Sequence, residues 1–197
     1  MMEIENHLYG LILAGGKSSR MGTDKGLLQY HGKPQREYLF ELAQTVCERV
    51  FYSIREDQQD TFNPHESIVD RNEYRGPFNG MLSANTAFSN KAWLVLACDL
   101  PLIDSAAIKQ LVTERNPSKV ATAFATQKSG LPEPLVAIWE PQGLQQAKDY
   151  LKTTDSSCPR KFLINSDIKL VHPKNDAVLY NANSQEEFEH VKSLLDL

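Results

Sequence analysis

With 197 residues, 41% of them hydrophobic and 23% charged, the chain has the length and balance of one globular domain with a sizeable core. A formal net charge of −4 argues against a nucleic-acid footprint, and no stretch approaches the roughly 18 apolar residues of a transmembrane helix. The three cysteines, Cys47, Cys98 and Cys158, have neither metal-ligand nor redox spacing, which excludes a disulfide framework and is expected of reduced thiols in a cytoplasmic protein. Residues 1–7 lack the basic start and apolar run of a signal peptide.

In chain order, the continuous apolar run at 9–14 predicts a buried strand that ends at Gly15-Gly16. Leu39, Leu42, Ala43, Val46 and Cys47 repeat at helical spacing and predict a helix over 35–48. Strands are expected at 50–54 and at 67–69, the second ending at Asp70, and a helix over 78–88 behind the Gly76-Pro77 turn. Trp93-Leu94-Val95-Leu96-Ala97 is a strong strand running into Cys98-Asp99-Leu100-Pro101. A helix over 105–115, strands over 120–125 and 135–139 and a helix over 144–151 follow. Then come a basic turn at Arg160-Lys161, a strand over 177–180 and a helix starting near Ser184, where Ser184 and Glu187 have capping-box spacing. This alternation predicts one α/β domain over 1–197, three layers deep (α/β/α), with a mixed, mostly parallel sheet. Ligands of such sheets sit beyond the carboxyl ends of the strands, where Gly15-Gly16, Asp70 and Asp99 are all expected.

The segment Leu13-Ala14-Gly15-Gly16-Lys17-Ser18-Ser19-Arg20-Met21-Gly22-Thr23-Asp24-Lys25 follows the first strand. Its three glycines permit tight turns and let backbone amides approach a phosphate, while Arg20 and Lys25 supply the charge that a triphosphate requires. Gly16-Lys17-Ser18 ends like a P-loop, but Leu11 stands where the first glycine of that motif belongs. The glycine spacing also fails the dinucleotide G-x-G-x-x-G pattern.

Leu-Ala-Gly-Gly-x-Ser-x-Arg-Met-Gly-x-Asp-Lys resembles the signature of the molybdenum cofactor guanylyltransferases, in the nucleoside triphosphate transferase superfamily. Further matches run along nearly the whole chain: Gly32-Lys33-Pro34, Asp70, Gly76 to Met81, Cys98-Asp99-Leu100-Pro101, Glu133-Pro134-Leu135 and Asn181-Ala182-Asn183. The resemblance implies a Rossmann-like fold of the nucleotide-diphospho-sugar transferase kind. It implies that Leu13, Ala14, Gly15, Gly16, Lys25, Asp70 and Asp99 bind the nucleotide, that Arg20, Lys25 and Asp99 are catalytic, and that Asp99 holds Mg²⁺. Asp70 is suited either to two hydrogen bonds from guanine or to a ribose hydroxyl. Asn181 can complete the metal shell or hold the second substrate, and Asn183 reads as a helix cap. The family often places an Asn for the base at the end of the second strand; here the sequence is Ser53-Ile54-Arg55. The five histidines are dispersed and suggest no metal cluster.

The reaction so implied is attack of a phosphomonoester oxygen on the α-phosphate of GTP, with pyrophosphate leaving. A phosphate oxygen is ionised at neutral pH, so positioning and charge neutralisation suffice. The acceptor implied is molybdenum-bound molybdopterin, its phosphate received by Arg160 and Lys161 or by Asn181, with contacts to other cofactor-biosynthesis proteins and none to nucleic acid or membrane. A cytidylyl or sugar-phosphate relative and a non-catalytic nucleotide-binding regulator are the rival readings. Gly15, where cytidylyl relatives usually carry Ala, favours GTP over CTP.

Overall fold

The structure, a computed structural model, describes residues 8–16 and 24–195. Arg20 and its neighbours at 17–23 lie outside the described residues.

Seven strands form one sheet in the order β3-β2-β1-β4-β6-β5-β7. The strands are β1 (Leu8–Leu13), β2 (Arg49–Ile54), β3 (Ser67–Val69), β4 (Ala92–Ala97), β5 (Ala121–Ala125), β6 (Pro132–Trp139) and β7 (Lys169–Val171). Neighbouring pairs are parallel except those made by β6, which runs antiparallel to both β4 and β5. The sheet is therefore mixed and mostly parallel, as the alternation of strands and helices predicts.

Strands buried on both faces need helices on both faces. Leu8 and Ile12 of β1 and Leu94 and Leu96 of β4 pack in a core with α1 (Gln35–Gln44) and α3 (Ser105–Thr113). The intervening Tyr9, Leu11, Trp93 and Val95 pack on the other face with α2 (Pro77–Ala87), α4 (Pro141–Thr153) and α5 (Pro159–Ile164). Each large apolar side chain so buried contributes about 1.5–3 kcal/mol. The last helix, α6 (Gln185–Leu194), packs with Tyr30 and Ala182 in a separate cluster through Val191 and Phe188. Its expected capping box is present: Glu187 N donates to Ser184 Oγ at 3.2 Å, and Ser184 N donates to Glu187 Oε2 at 2.9 Å.

Three local expectations are corrected. Arg160 and Lys161 lie not in a turn but in the first turn of α5, which Pro159 opens at a position where no N–H is needed. Residues 176–179 form a 3-10 turn rather than a strand, because the Asn175 side chain accepts from Ala177 N at 3.0 Å and closes the backbone locally. The edge strand is instead β7, three residues whose pattern is too short to announce a strand without its partner β5.

The register positions the site. Leu13 is paired with Ser53 on one side and Ala97 on the other, and Ile54 with Val69. The carboxyl ends of β3, β2, β1 and β4 are therefore level, at the spacing of about 4.8 Å between neighbours. Because β6 is antiparallel, its beginning reaches that same edge: Val136 pairs with Leu96, which puts Leu135 beside Ala97.

Candidate active site

A cavity of about 640 Å³ opens beyond these strand ends. Leu13, Ala14, Gly15 and Gly16 form its floor, and Asp24 and Lys25 one wall. The first turn of α2 contributes Pro77, Asn79 and Gly80 to another wall. Gly80 is required there, since a Cβ would come within 2.1 Å of Ser53 Oγ. Asp70 and Asp99, predicted at strand ends, both line the cavity.

The cavity has two poles. At one, Asp99 follows β4 and is largely buried; its Oδ1 has no hydrogen-bond partner among the described residues. Burial raises the pKa of its carboxyl above the usual aspartate range, and the Lys25 ammonium nearby opposes the shift. Lys25 Nζ donates to Asn183 Oδ1 at 2.6 Å. The Asp99 carbonyl accepts from Ala182 N at 2.9 Å, tying the strand end to the segment before α6. Asp104, which accepts from Ala107 N at 2.7 Å, caps α3 and leaves Asp99 free of that duty. Cys98 also faces the cavity, but burial pushes its thiol to about 12, so it is no nucleophile at neutral pH.

At the other pole, Asp70 Oδ1 accepts from Ser53 Oγ at 2.7 Å. Burial raises its pKa too, against the pull of the Ser53 hydrogen bond and the Arg55 charge. Arg55, at the end of β2, donates from Nη1 to the Gly15 carbonyl at 2.9 Å. Gly15 lies close against this pole, where an added Cβ would sit 3.1 Å from Asp70 Oδ2.

Among the cavity residues that the sequence did not mark are Asn183 and Arg55. Asn183 does not cap α6, whose cap is Ser184; it lines the cavity and holds Lys25, from 158 residues further along the chain. Arg55, part of the Ser53-Ile54-Arg55 departure from the family pattern, also lines the cavity. No local signal marks either, although the Asn181-Ala182-Asn183 match to the family touches the right segment. Conversely, Arg160, Lys161 and Asn181 do not line it. Arg160 is tied to the start of β6, donating to Pro132 O at 3.0 Å and to Glu133 Oε2 at 2.5 Å. Asn181 donates to Leu179 O at 3.3 Å.

The donor set suits a magnesium ion. Mg²⁺ is bound by one or two carboxylates together with substrate phosphates and water, not by an all-protein cage. Asp99, with its buried unpartnered oxygen, offers one such carboxylate. Among the described residues no three His, Cys, Asp or Glu side chains gather as a metal-holding group. No helix among them is long and apolar enough to cross a membrane.

A doubly covered, mostly parallel sheet with Gly15-Gly16 and two carboxylates at level strand ends is a fold of the Rossmann-like, nucleotide-diphospho-sugar transferase class. Within that class the chain belongs to the family of MobA-like NTP transferase domains, which it matches over residues 10–168. It is 38% identical over 188 residues to the molybdenum cofactor biosynthesis bifunctional protein of Synechocystis sp., a match covering 93% of this chain and 53% of that protein. The chain thus spans about half the length of that relative. It is 29% identical to the probable molybdenum cofactor guanylyltransferase of Flavobacterium johnsoniae, over 89% of this chain and 92% of that one. The crystal structure of molybdopterin-guanine dinucleotide biosynthesis protein A from Archaeoglobus fulgidus has the same fold, with a TM-score of 0.76 at 18% identity over 95% of this chain and 98% of that one.

Proposed function

We propose that the protein transfers GMP from GTP to the phosphate of molybdenum-bound molybdopterin, forming the guanine dinucleotide and releasing pyrophosphate. The observation that carries this reading is that Asp99, buried with an unpartnered oxygen, lies near enough to Lys25 to feel its charge at one end of a cavity whose other end holds Asp70. A nucleoside triphosphate has the matching asymmetry, with an anionic end that needs cations and a base that needs hydrogen-bond partners.

In this reading Asp99 would hold Mg²⁺, which when bound neutralises the triphosphate. Lys25, oriented by Asn183, reaches the phosphates, and Arg20 of the same loop adds a second cation. The backbone of Leu13, Ala14, Gly15 and Gly16 lies along the nucleotide, and Asp70 accepts from its base. The acceptor phosphate is ionised at neutral pH, so no side chain has to remove a proton from it. The protein's work is to align two anions that repel one another and to exclude water from between them. Arg160 and Lys161 on α5, with Asn181, are assigned to the acceptor, outside the lining of the nucleotide cavity. The reaction belongs in the cytoplasm, where GTP and other cofactor-biosynthesis proteins are available.

Pyrophosphate release measured with each of the four nucleoside triphosphates, with and without molybdopterin, tests the proposal. Release that depends on both GTP and the acceptor is expected. Equal release with CTP, or release indifferent to the acceptor, would overturn it.

A further inference from the structure

Arg55 is the cation of the cavity that the proposed chemistry leaves without a task. Its Nε donates to Asp57 Oδ1 at 2.9 Å and its Nη2 to Asp57 Oδ2 at 3.3 Å, while Nη1 donates to Gly15 O at 2.9 Å. These bonds fix the guanidinium plane from behind and from the cavity floor. A guanidinium carries five N–H donors. One on Nη1 and one on Nη2 therefore have no partner among the described residues.

This cation is a poor phosphate site. Asp57 pairs with it directly, and Asp70 lies near enough to feel its charge. Two carboxylates beside one guanidinium leave little net attraction for a triphosphate, whereas Lys25 and the carboxylate of Asp99 mark the opposite pole for phosphates and metal. What the Asp70–Arg55 pole offers instead is an ordered row of acceptors and donors against the Gly15 backbone. Guanine presents its complement along one edge: the N1–H and N2–H₂ donors, which suit a carboxylate, next to the O6 acceptor, which suits a guanidinium. Adenine and cytosine place an amine donor where guanine has O6, and so face Arg55 with a donor against a donor.

We infer that Arg55 is a specificity-determining residue, donating to guanine O6 while the neighbouring Asp70 accepts from N1–H and N2–H₂. The inference rests on the guanylyltransferase reading and adds to it the residue that selects the base.

Isothermal titration of the full chain with GTP and with 6-thio-GTP, in the presence of Mg²⁺, isolates the contact. The analogue replaces only O6 by sulfur, a weak acceptor. The wild type should bind 6-thio-GTP about tenfold or more weakly than GTP, the scale of a hydrogen bond from a charged donor. In Arg55→Ala the two nucleotides should bind within about twofold of one another, because the donor that tells them apart is gone. Arg55→Met keeps much of the side-chain bulk without any donor and carries the same expectation if truncation prevents folding. A merely structural Arg55, needed only to hold the Gly15 carbonyl, would weaken both nucleotides equally and leave their ratio at the wild-type value. That outcome overturns the inference while leaving the guanylyltransferase reading intact. A wild type that binds CTP as tightly as GTP overturns both.

Discussion

Lys25 Nζ donates to Asn183 Oδ1 at 2.6 Å, joining the end of the glycine-rich segment to the residue just before α6. A lysine side chain has many rotamers, and this bond selects one that points into the cavity. Asn183→Leu keeps similar volume and removes the acceptor. It should lower kcat/KM for GTP by about 10–100-fold, the range for losing a hydrogen bond to a charged group, with little change in melting temperature. Lys25→Ala should cost more, since no other described side chain replaces its ammonium. Steady-state pyrophosphate release beside a thermal melt separates the two effects.

Asp99 combines burial with an unpartnered oxygen, and its raised pKa says that the metal-free protein bears a cost for the charge. Asp99→Asn removes the charge at nearly constant volume. Turnover should fall about a thousandfold or more, while the melting temperature of the metal-free variant stays level or rises. Added Mg²⁺ with GTP should stabilise the wild type and fail to stabilise the variant. Near-normal turnover in the variant would remove Asp99 from the metal site.

Gly15 is held to the smallest side chain by Asp70, whose Oδ2 a Cβ would approach to 3.1 Å. Gly15→Ala should displace that carboxylate by a few tenths of an ångström and weaken GTP by about tenfold. CTP, which has no N1–H and N2–H₂ pair to present, should be affected less. Competition titration of the two nucleotides measures the change in their ratio.

Asp70 keeps its proton to a higher pH in the folded protein than in the unfolded chain, because burial disfavours its charge. Its contribution to stability is therefore fully present below the unfolded value of about 3.9, and is lost as pH rises through the higher folded value. Asp70→Asn no longer titrates. Relative to wild type it should gain stability at neutral pH, and the advantage should shrink as pH is lowered toward about 4. Denaturant melts of both proteins across that range give the difference directly. The same variant should bind GTP less well and XTP better, since an amide can donate to the xanthine O2 that replaces the guanine amine.

The buried strands and the carboxylates that follow them are consequences of patterns a few residues long. A run such as Leu11-Ile12-Leu13-Ala14 needs cover on both faces wherever it is placed, and Asp70 and Asp99 stand where such runs must stop. The Ser184–Glu187 capping box is equally local, because both of its hydrogen bonds close within one helical turn. Nothing within ten residues of Asn183 or Arg55 says that one meets Lys25 and the other the Gly15 carbonyl, since those bonds depend on how separate elements are stacked. The same holds for Arg160, which α5 carries to Glu133 at the start of β6 and not to the cavity lining. Residues 169–171 and 176–179 compete on similar short apolar patterns, and the free edge of β5 decides between them by pairing with the first. Backbone hydrogen bonding within a segment could be derived from the segment; which side chains converge on the nucleotide was decided by the sheet order and the register that close the tertiary structure.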